Sequence, residues 1–194
     1  MTLSTQICAG ASLPEPAAAS PAEAELIRAT VAGNTQAFDS IVELYGRRVF
    51  NYIHQMTRQA QDAEDLAQQT FIKAYASLHR FDTSRPFIGW LLTIARRTSL
   101  NHFRAARRWE PVSEEVPAAE PSPARQAEER DRIEDLWAHA RRVLSPREFE
   151  ILWLRFSENL SVAETARVLG LTQTHVKILV FRSRKRLLKV PLTP

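Results

Sequence analysis

Residues 161–188 carry the spacing that most limits how this chain can fold. Ser161-Val-Ala-Glu164 has the form of a capping box: the serine hydroxyl accepts from the N3 amide and the glutamate reaches back to the N-cap amide. A helix is therefore predicted to start at Val162. Gly170 ends it, as a residue that can take φ > 0 at a helix C-terminus. Ala166 lies four residues before that glycine and Val176 six after it. A small residue at a helix crossing, a tight turn and an apolar peg under the next helix are what a helix-turn-helix requires. Thr172 caps the second helix, predicted over Gln173 to Leu188. Val176, Leu179, Val180, Ser183 and Leu187 then share its inner face, while Lys177, Phe181, Arg182 and Lys185 point the other way. Upstream, Ser145-Pro-Arg-Glu148 repeats the capping box with proline at N1 and starts a supporting helix that buries Phe149, Leu152 and Phe156. The plain alternative is a helical bundle whose charges merely face solvent. Two capping boxes together with Ala166, Gly170 and Val176 favour the helix-turn-helix.

Charge points the same way. The formal net charge is only +4, but it is unevenly spread. From Thr83 to Trp109 there are six arginines and no acid, and from Thr165 to the C-terminus there are seven Lys or Arg and again no acid. Such blocks are the electrostatic footprint of nucleic-acid contact, and two blocks imply two contacts. The single Cys8 permits no internal disulfide, which suits a reducing compartment. The five histidines are scattered without metal-ligand spacing, so no metal or other cofactor is expected. There is no export signal and no apolar stretch near 18 residues, so membrane insertion is not expected.

Composition divides the chain. Residues 1–22, rich in Ala, Pro and Ser, read as a flexible tail, with order beginning near Glu23. Residues 23–108 are nearly proline-free and helical in period, with breaks at Gly33-Asn34 and from Phe81 to Pro86. Residues 109–129 hold four prolines and six glutamates and read as a solvated acidic linker. A second domain follows over 130–190. The expected fold class is all-α: two small helical domains joined by that linker.

Asp62 is expected to cap a helix running to about His79. Its buried side would be Ala63, Ala67, Thr70, Phe71, Ala74 and Leu78, leaving Asp65, Gln68, Gln69 and Ile72 as an outward ridge of acidic, amide and apolar character. Such a ridge suits docking of another protein; a merely solvated face is the alternative. Next comes an aromatic and basic loop, Arg80 to Trp90, leading into a helix from Leu91 to Arg108. Phe81, Phe87 and Trp90 can be core staples, Trp90 above all, or a platform for unpaired bases, with Arg96, Arg97, Arg104, Arg107 and Arg108 neutralising phosphates.

Taken in order, Ala37-Phe38 with Leu44-Tyr45, then Asp62-Ala-Glu-Asp-Leu-Ala-Gln-Gln-Thr-Phe71, then Pro86-Phe-Ile-Gly-Trp-Leu-Leu-Thr-Ile-Ala-Arg96, and finally Leu144-Ser-Pro-Arg-Glu148 onward to Arg186 resemble the region 2 and region 4 patterns of an extracytoplasmic function (ECF) sigma factor, a compact class of bacterial RNA polymerase specificity subunits. The resemblance covers about 150 residues. It implies that Asp62, Asp65, Leu66, Gln68, Gln69 and Ile72 bind the clamp helices of the polymerase β′ subunit, with the β subunit a further partner. It implies that Phe81, Arg85, Phe87, Arg96, Arg97, Asn101, Arg104, Arg107 and Arg108 recognise and help melt the −10 promoter element. Thr172, Thr174, Lys177, Ile178, Phe181, Arg182 and Lys185 would read the −35 element. It further implies a cytoplasmic protein, promoter DNA as ligand and an anti-sigma factor as a candidate partner. The chain departs from the family pattern in three places. Arg97 follows Ile-Ala-Arg where Asn is common, Asn101 stands where an acid is frequent, and Ile178-Leu179 replaces a Ser-Arg pair. Ile178 shares an exposed face with Phe181, suited either to thymine methyl groups or to an inhibitory protein.

Two other readings compete. A LuxR-type transcriptional regulator also begins its output domain with Leu-Ser-Pro-Arg-Glu, but requires a phosphoacceptor or ligand-binding domain upstream. An enzyme would need a reaction centre. Glu64 and Asp65, or Glu148 and Glu150, are too close along a helix to face each other, and no nucleophile elbow, phosphate loop or metal set is present.

Overall fold

The computed structural model describes residues 19–106 and 127–189, with side chains for 19–105 and 133–189. Among these residues every regular element is helical, in two compact units.

The first unit contains α1 (Pro21–Val31), α2 (Thr35–Thr57), α3 (Ala60–Ser77) with a 3₁₀ turn at Leu78–Arg80, and α4 (Phe87–Ala106). Ser20 and Glu23 form a complete capping box with Pro21 at N1, so Glu23 is the box's third helical residue. Gly33 takes φ 100° between α1 and α2, and Asn34 caps α2 by accepting from the Ala37 amide. The break between α2 and α3 has no such signature: Arg58 closes α2 in the left-handed region at φ 59°. As a result α3 starts at Ala60, with Gln59 at its N-cap and no side-chain cap bond. Asp62 is thus not the cap. It sits at the third helical position, half-buried, 3.6 Å from His102 of α4.

The core of this unit is a set of stripes at helical spacing. Ile41, Tyr45, Val49, Tyr52 and Ile53 face inward from α2; Ala63, Leu66, Thr70, Phe71 and Ala74 from α3; Phe87, Ile88, Leu91, Leu92 and Ala95 from α4. The buried hydroxyls of Thr70 and Ser99 donate within their own helices, to the Leu66 and Ala95 carbonyls, and the buried Thr98 hydroxyl accepts from Lys73 Nζ of α3.

The second unit contains α5 (Ala127–Val143), α6 (Pro146–Leu152), a π turn over Trp153–Ser157, α7 (Val162–Leu169) and α8 (Gln173–Lys189). The acidic segment expected over 109–129 lies outside the described residues except for its last three, which already belong to α5. Trp137 of α5 packs on Phe149 and Trp153, with ring centroids 5.6 and 4.9 Å away, and the Arg141 guanidinium lies 4.4 Å over the Phe149 ring. Pairs of this kind each add about 0.5–1.5 kcal/mol beyond area burial. α8 packs against α5, α6 and α7, and α7 also against the π turn.

Candidate nucleic-acid interface

The helix-turn-helix is built as its spacing requires. Ser161 caps α7 by accepting from the Glu164 amide. The Glu164 carboxylate pairs through Oε1 with Arg167. Gly170 adopts φ 66°, and the Leu171 amide donates to the Ala166 carbonyl at 2.8 Å, a Schellman closure. Ala166 is buried at the crossing and Val176 is completely buried beneath α8. Thr172 caps α8, its hydroxyl accepting from the His175 amide at 3.2 Å. The Ser145 box is complete, with both amide bonds present.

Only Val176 and Ser183 of α8 are fully buried; Leu179, Val180 and Leu187 are half-buried. Opposite them Thr174, Ile178, Phe181 and Lys185 recur at steps of four, three and four residues and are all exposed. Lys177 and Arg182, also outside the buried stripe, flank this row. The helix therefore presents one basic face with an apolar pair in its centre: Ile178 is 44% and Phe181 68% exposed.

In the first unit α4 presents the other basic face. Arg97, Asn101 and Arg104 are exposed at steps of four and three residues, opposite the buried Leu91, Ala95 and Thr98. Arg85 and Arg96 are half-buried. Arg107 and Arg108 lie outside the described residues. The aromatic group around the start of α4 divides between core and rim. Phe87 is 2% exposed, wedged among Tyr45, Phe81 and Trp90 with ring centroids 5.1–5.4 Å apart, so it packs as a core residue. Its place at the first turn of α4, four residues before Leu91, puts it on the buried stripe. Phe81 and Trp90, expected as base platform and core staple, are both half-buried and lie 5.2 Å apart at the rim of this cluster.

The outward ridge of α3 exposes Asp65, Gln68, Gln69 and Ile72 to differing degrees, the last at 62%. Leu66 is not part of it. At 2% exposure it packs in the core, three residues after Ala63 and four before Thr70 on the same stripe. Val31 on α1, Leu44 on α2 and Tyr75 on α3 are exposed apolar residues of the first unit for which no exposed role was expected. Leu44 stands outside the Ile41, Tyr45, Val49 stripe, and that phase mismatch was the available signal. Tyr75 is held from one side by Phe38, 4.9 Å between ring centroids.

No group of three or more His, Cys, Asp or Glu able to hold a metal occurs among the described residues. Among them, too, no helix is long and apolar enough to cross a membrane.

The Sigma-70 region 2 family model matches residues 41–109, and the Sigma-70, region 4 model matches residues 139–187. The ECF RNA polymerase sigma factor BldN of Streptomyces coelicolor is 34% identical over 172 residues, 86% of this chain; the chain spans 64% of BldN's length. The ECF RNA polymerase sigma factor SigM of Bacillus subtilis is 28% identical over 154 residues, 77% of this chain and 91% of SigM. Among solved structures, CnrH in complex with the cytosolic domain of CnrY is 25% identical with a TM-score of 0.61, covering 87% of this chain and 96% of CnrH. With region 2 and region 4 matched in order along one chain and ECF sigma factors as its relatives, the chain belongs to the sigma-70 family, in its extracytoplasmic function class.

Proposed function

We propose that this chain directs RNA polymerase core to specific promoters and assists the start of transcription, with no catalytic centre of its own, in the cytoplasm where the polymerase works. The observation that carries the reading is the joint occurrence of region 2 and region 4 in one chain, each with an exposed basic helix face. In this reading residues 23–108 form the region 2 domain and 130–190 the region 4 domain. The α3 ridge of Asp65, Gln68, Gln69 and Ile72 docks on the β′ clamp helices, its amide and apolar groups giving a surface that can be desolvated without stranding many charges. Contacts with the β subunit complete the holoenzyme.

Arg97, Asn101 and Arg104 of α4 approach the −10 element, with Phe81 and Trp90 at the rim available to unpaired bases. Arg85 and Arg96 reach the same strand from the side. On α8, Thr172 and Thr174 approach the −35 element at the helix N-terminus, where a recognition helix meets base edges. Lys177, Arg182 and Lys185 take phosphates or guanine edges. CnrH is held in a complex with the cytosolic domain of CnrY, and an anti-sigma protein acting on this chain is part of the proposal.

A regulator of the LuxR type needs a phosphoacceptor or ligand-binding domain upstream. The upstream unit here is instead helical and matched by sigma region 2.

Transcription in vitro by core polymerase with and without the full chain, over a library of randomised promoters, tests the function. The chain should enrich promoters with two separated elements. Enrichment equal to that of core alone would overturn it.

A further inference from the structure

Ile178 occupies the middle of the α8 face that points away from the core, with Thr174 one turn before it and Phe181 one turn after. A solvent-facing position on a helix seldom selects two neighbouring large apolar side chains, since their exposure offers no burial. A partner surface laid over them would bury both. The surroundings say what kind of surface does so. Lys177, Arg182 and Lys185 border the pair, and no acid occurs from Thr165 to the end of the chain. A ring of cations around a small apolar centre complements a polyanion that displays apolar groups between its charges. The DNA major groove fits: phosphates line its edges, and thymine places a 5-methyl group on its floor.

Resting on the reading of α8 as the promoter-recognition helix, we propose that Ile178 is a specificity-determining residue that reads thymine methyl groups in the upstream element, with Phe181 packing beside it on the same or the adjacent base pair. Ile178 has no hydrogen-bonding group, so it distinguishes bases only by the fit of methyl against methylene. It would favour thymine over cytosine, whose C5 carries hydrogen, and resist the polar edge of guanine. The lysines around it set affinity without sequence preference. The element recognised by this chain is thereby biased toward thymine on one strand opposite the middle of α8.

The test uses the full chain assembled with core polymerase. Upstream duplexes are selected from a randomised pool by the parent holoenzyme and by the Ile178→Ser holoenzyme. Parent selections should enrich thymine at one or two positions where the variant shows no preference. Each enriched thymine is then replaced by deoxyuridine, which removes only the methyl group. The parent should lose about fourfold in binding per methyl, the worth of one buried methyl-sized group, and Ile178→Ser should lose nothing at the position it no longer reads. Because Ile178 is exposed, the variant keeps its helix content, checked by circular dichroism. Identical selections by parent and variant, or equal losses on deoxyuridine substitution in both, overturn the inference. It is likewise overturned if Ile178→Ser transcribes and selects like the parent but escapes an inhibitory protein, because the pair then covers a protein surface. Failure of any duplex to be enriched over core alone is a different result: it rejects the promoter-recognition reading itself, and this inference with it.

Discussion

Arg186 of α8 donates from Nη1 to Oε2 of Glu148 at 2.8 Å, joining the last helix of the second unit to the capping box of α6. The same oxygen accepts from the Ser145 amide at 3.0 Å and the Ser145 hydroxyl at 2.8 Å. One carboxylate oxygen thus closes the start of the supporting helix and anchors the recognition helix. The Glu148 side chain is 10% exposed, whereas Arg186 is 53% exposed, so Arg186 acts as a clamp and is not freely available to DNA.

The two partners should therefore be unequal. Glu148→Ala removes a cap and a charge-assisted anchor together and should cost about 2–3 kcal/mol. Arg186→Ala leaves the carboxylate with both Ser145 donors and breaks a half-exposed pair, so it should cost about 1 kcal/mol or less. Urea unfolding with hydrogen exchange of the α8 amides measures both; equal costs would show that the oxygen is not shared in this way.

On α3 the ridge and the core stripe make opposite predictions for neighbouring residues. Asp65→Arg combined with Gln69→Ala should weaken co-purification with polymerase core while leaving thermal stability within about 0.5 kcal/mol, the usual range for surface changes. Leu66→Ala should instead destabilise the first unit by about 2–5 kcal/mol, as expected for a cavity in a core. If the double variant still binds core normally, the ridge is only a solvated face.

The same division applies on α4. Phe87→Ala should destabilise the first unit by about 3–5 kcal/mol. Arg97→Ala and Arg104→Ala should leave the fold intact and slow promoter opening, each lowering the salt dependence of binding by about one unit of slope for every phosphate that the side chain had neutralised. Permanganate footprinting of the melted strand across a salt series reads both effects. Slower opening without any change in salt slope would move these arginines from phosphate neutralisation to another role.

How far these features were legible depends on whether a local rule or a packing choice decides them. The helix-turn-helix could be read because Ser161, Ala166, Gly170, Thr172 and Val176 each act within a few residues of themselves. Ser20-Pro-Ala-Glu23 is the same signal as Ser145-Pro-Arg-Glu148, so the start of α1 was also readable; the Ala, Pro and Ser around it obscured the signal. Leu66 was recoverable from its register with Ala63 and Thr70. Phe87 was not so easily placed, because aromatic residues at a loop-to-helix junction serve a core and a base platform equally well. Arg58 offered no signal, as it takes the left-handed region at φ 59° and arginine has no preference for it. The π turn after Leu152 was equally hidden. Ile151 to Leu154 are all buried, and four successive residues sweep most of a helix circumference, so no one-sided stripe existed to mark a change of register.

Affinity and readout should separate on α8. Lys177 and Lys185 are exposed cations on either side of the apolar pair, with no acid on their helix to neutralise them. Lys177→Ala or Lys185→Ala should weaken holoenzyme binding to all upstream sequences alike and flatten the salt dependence by about one unit of slope each. Arg182 has the planar fork that matches the O6 and N7 acceptors of guanine. Its alanine variant should therefore cost about 1–3 kcal/mol on a preferred element, relax selectivity at one base pair, and cost much less on an element already altered there. Binding measured for parent and variants over single-base changes of one selected element distinguishes the two patterns. If Arg182→Ala lowers binding uniformly with only a change in salt slope, Arg182 neutralises a phosphate like its lysine neighbours, and base selection falls to the remaining exposed residues of the stripe.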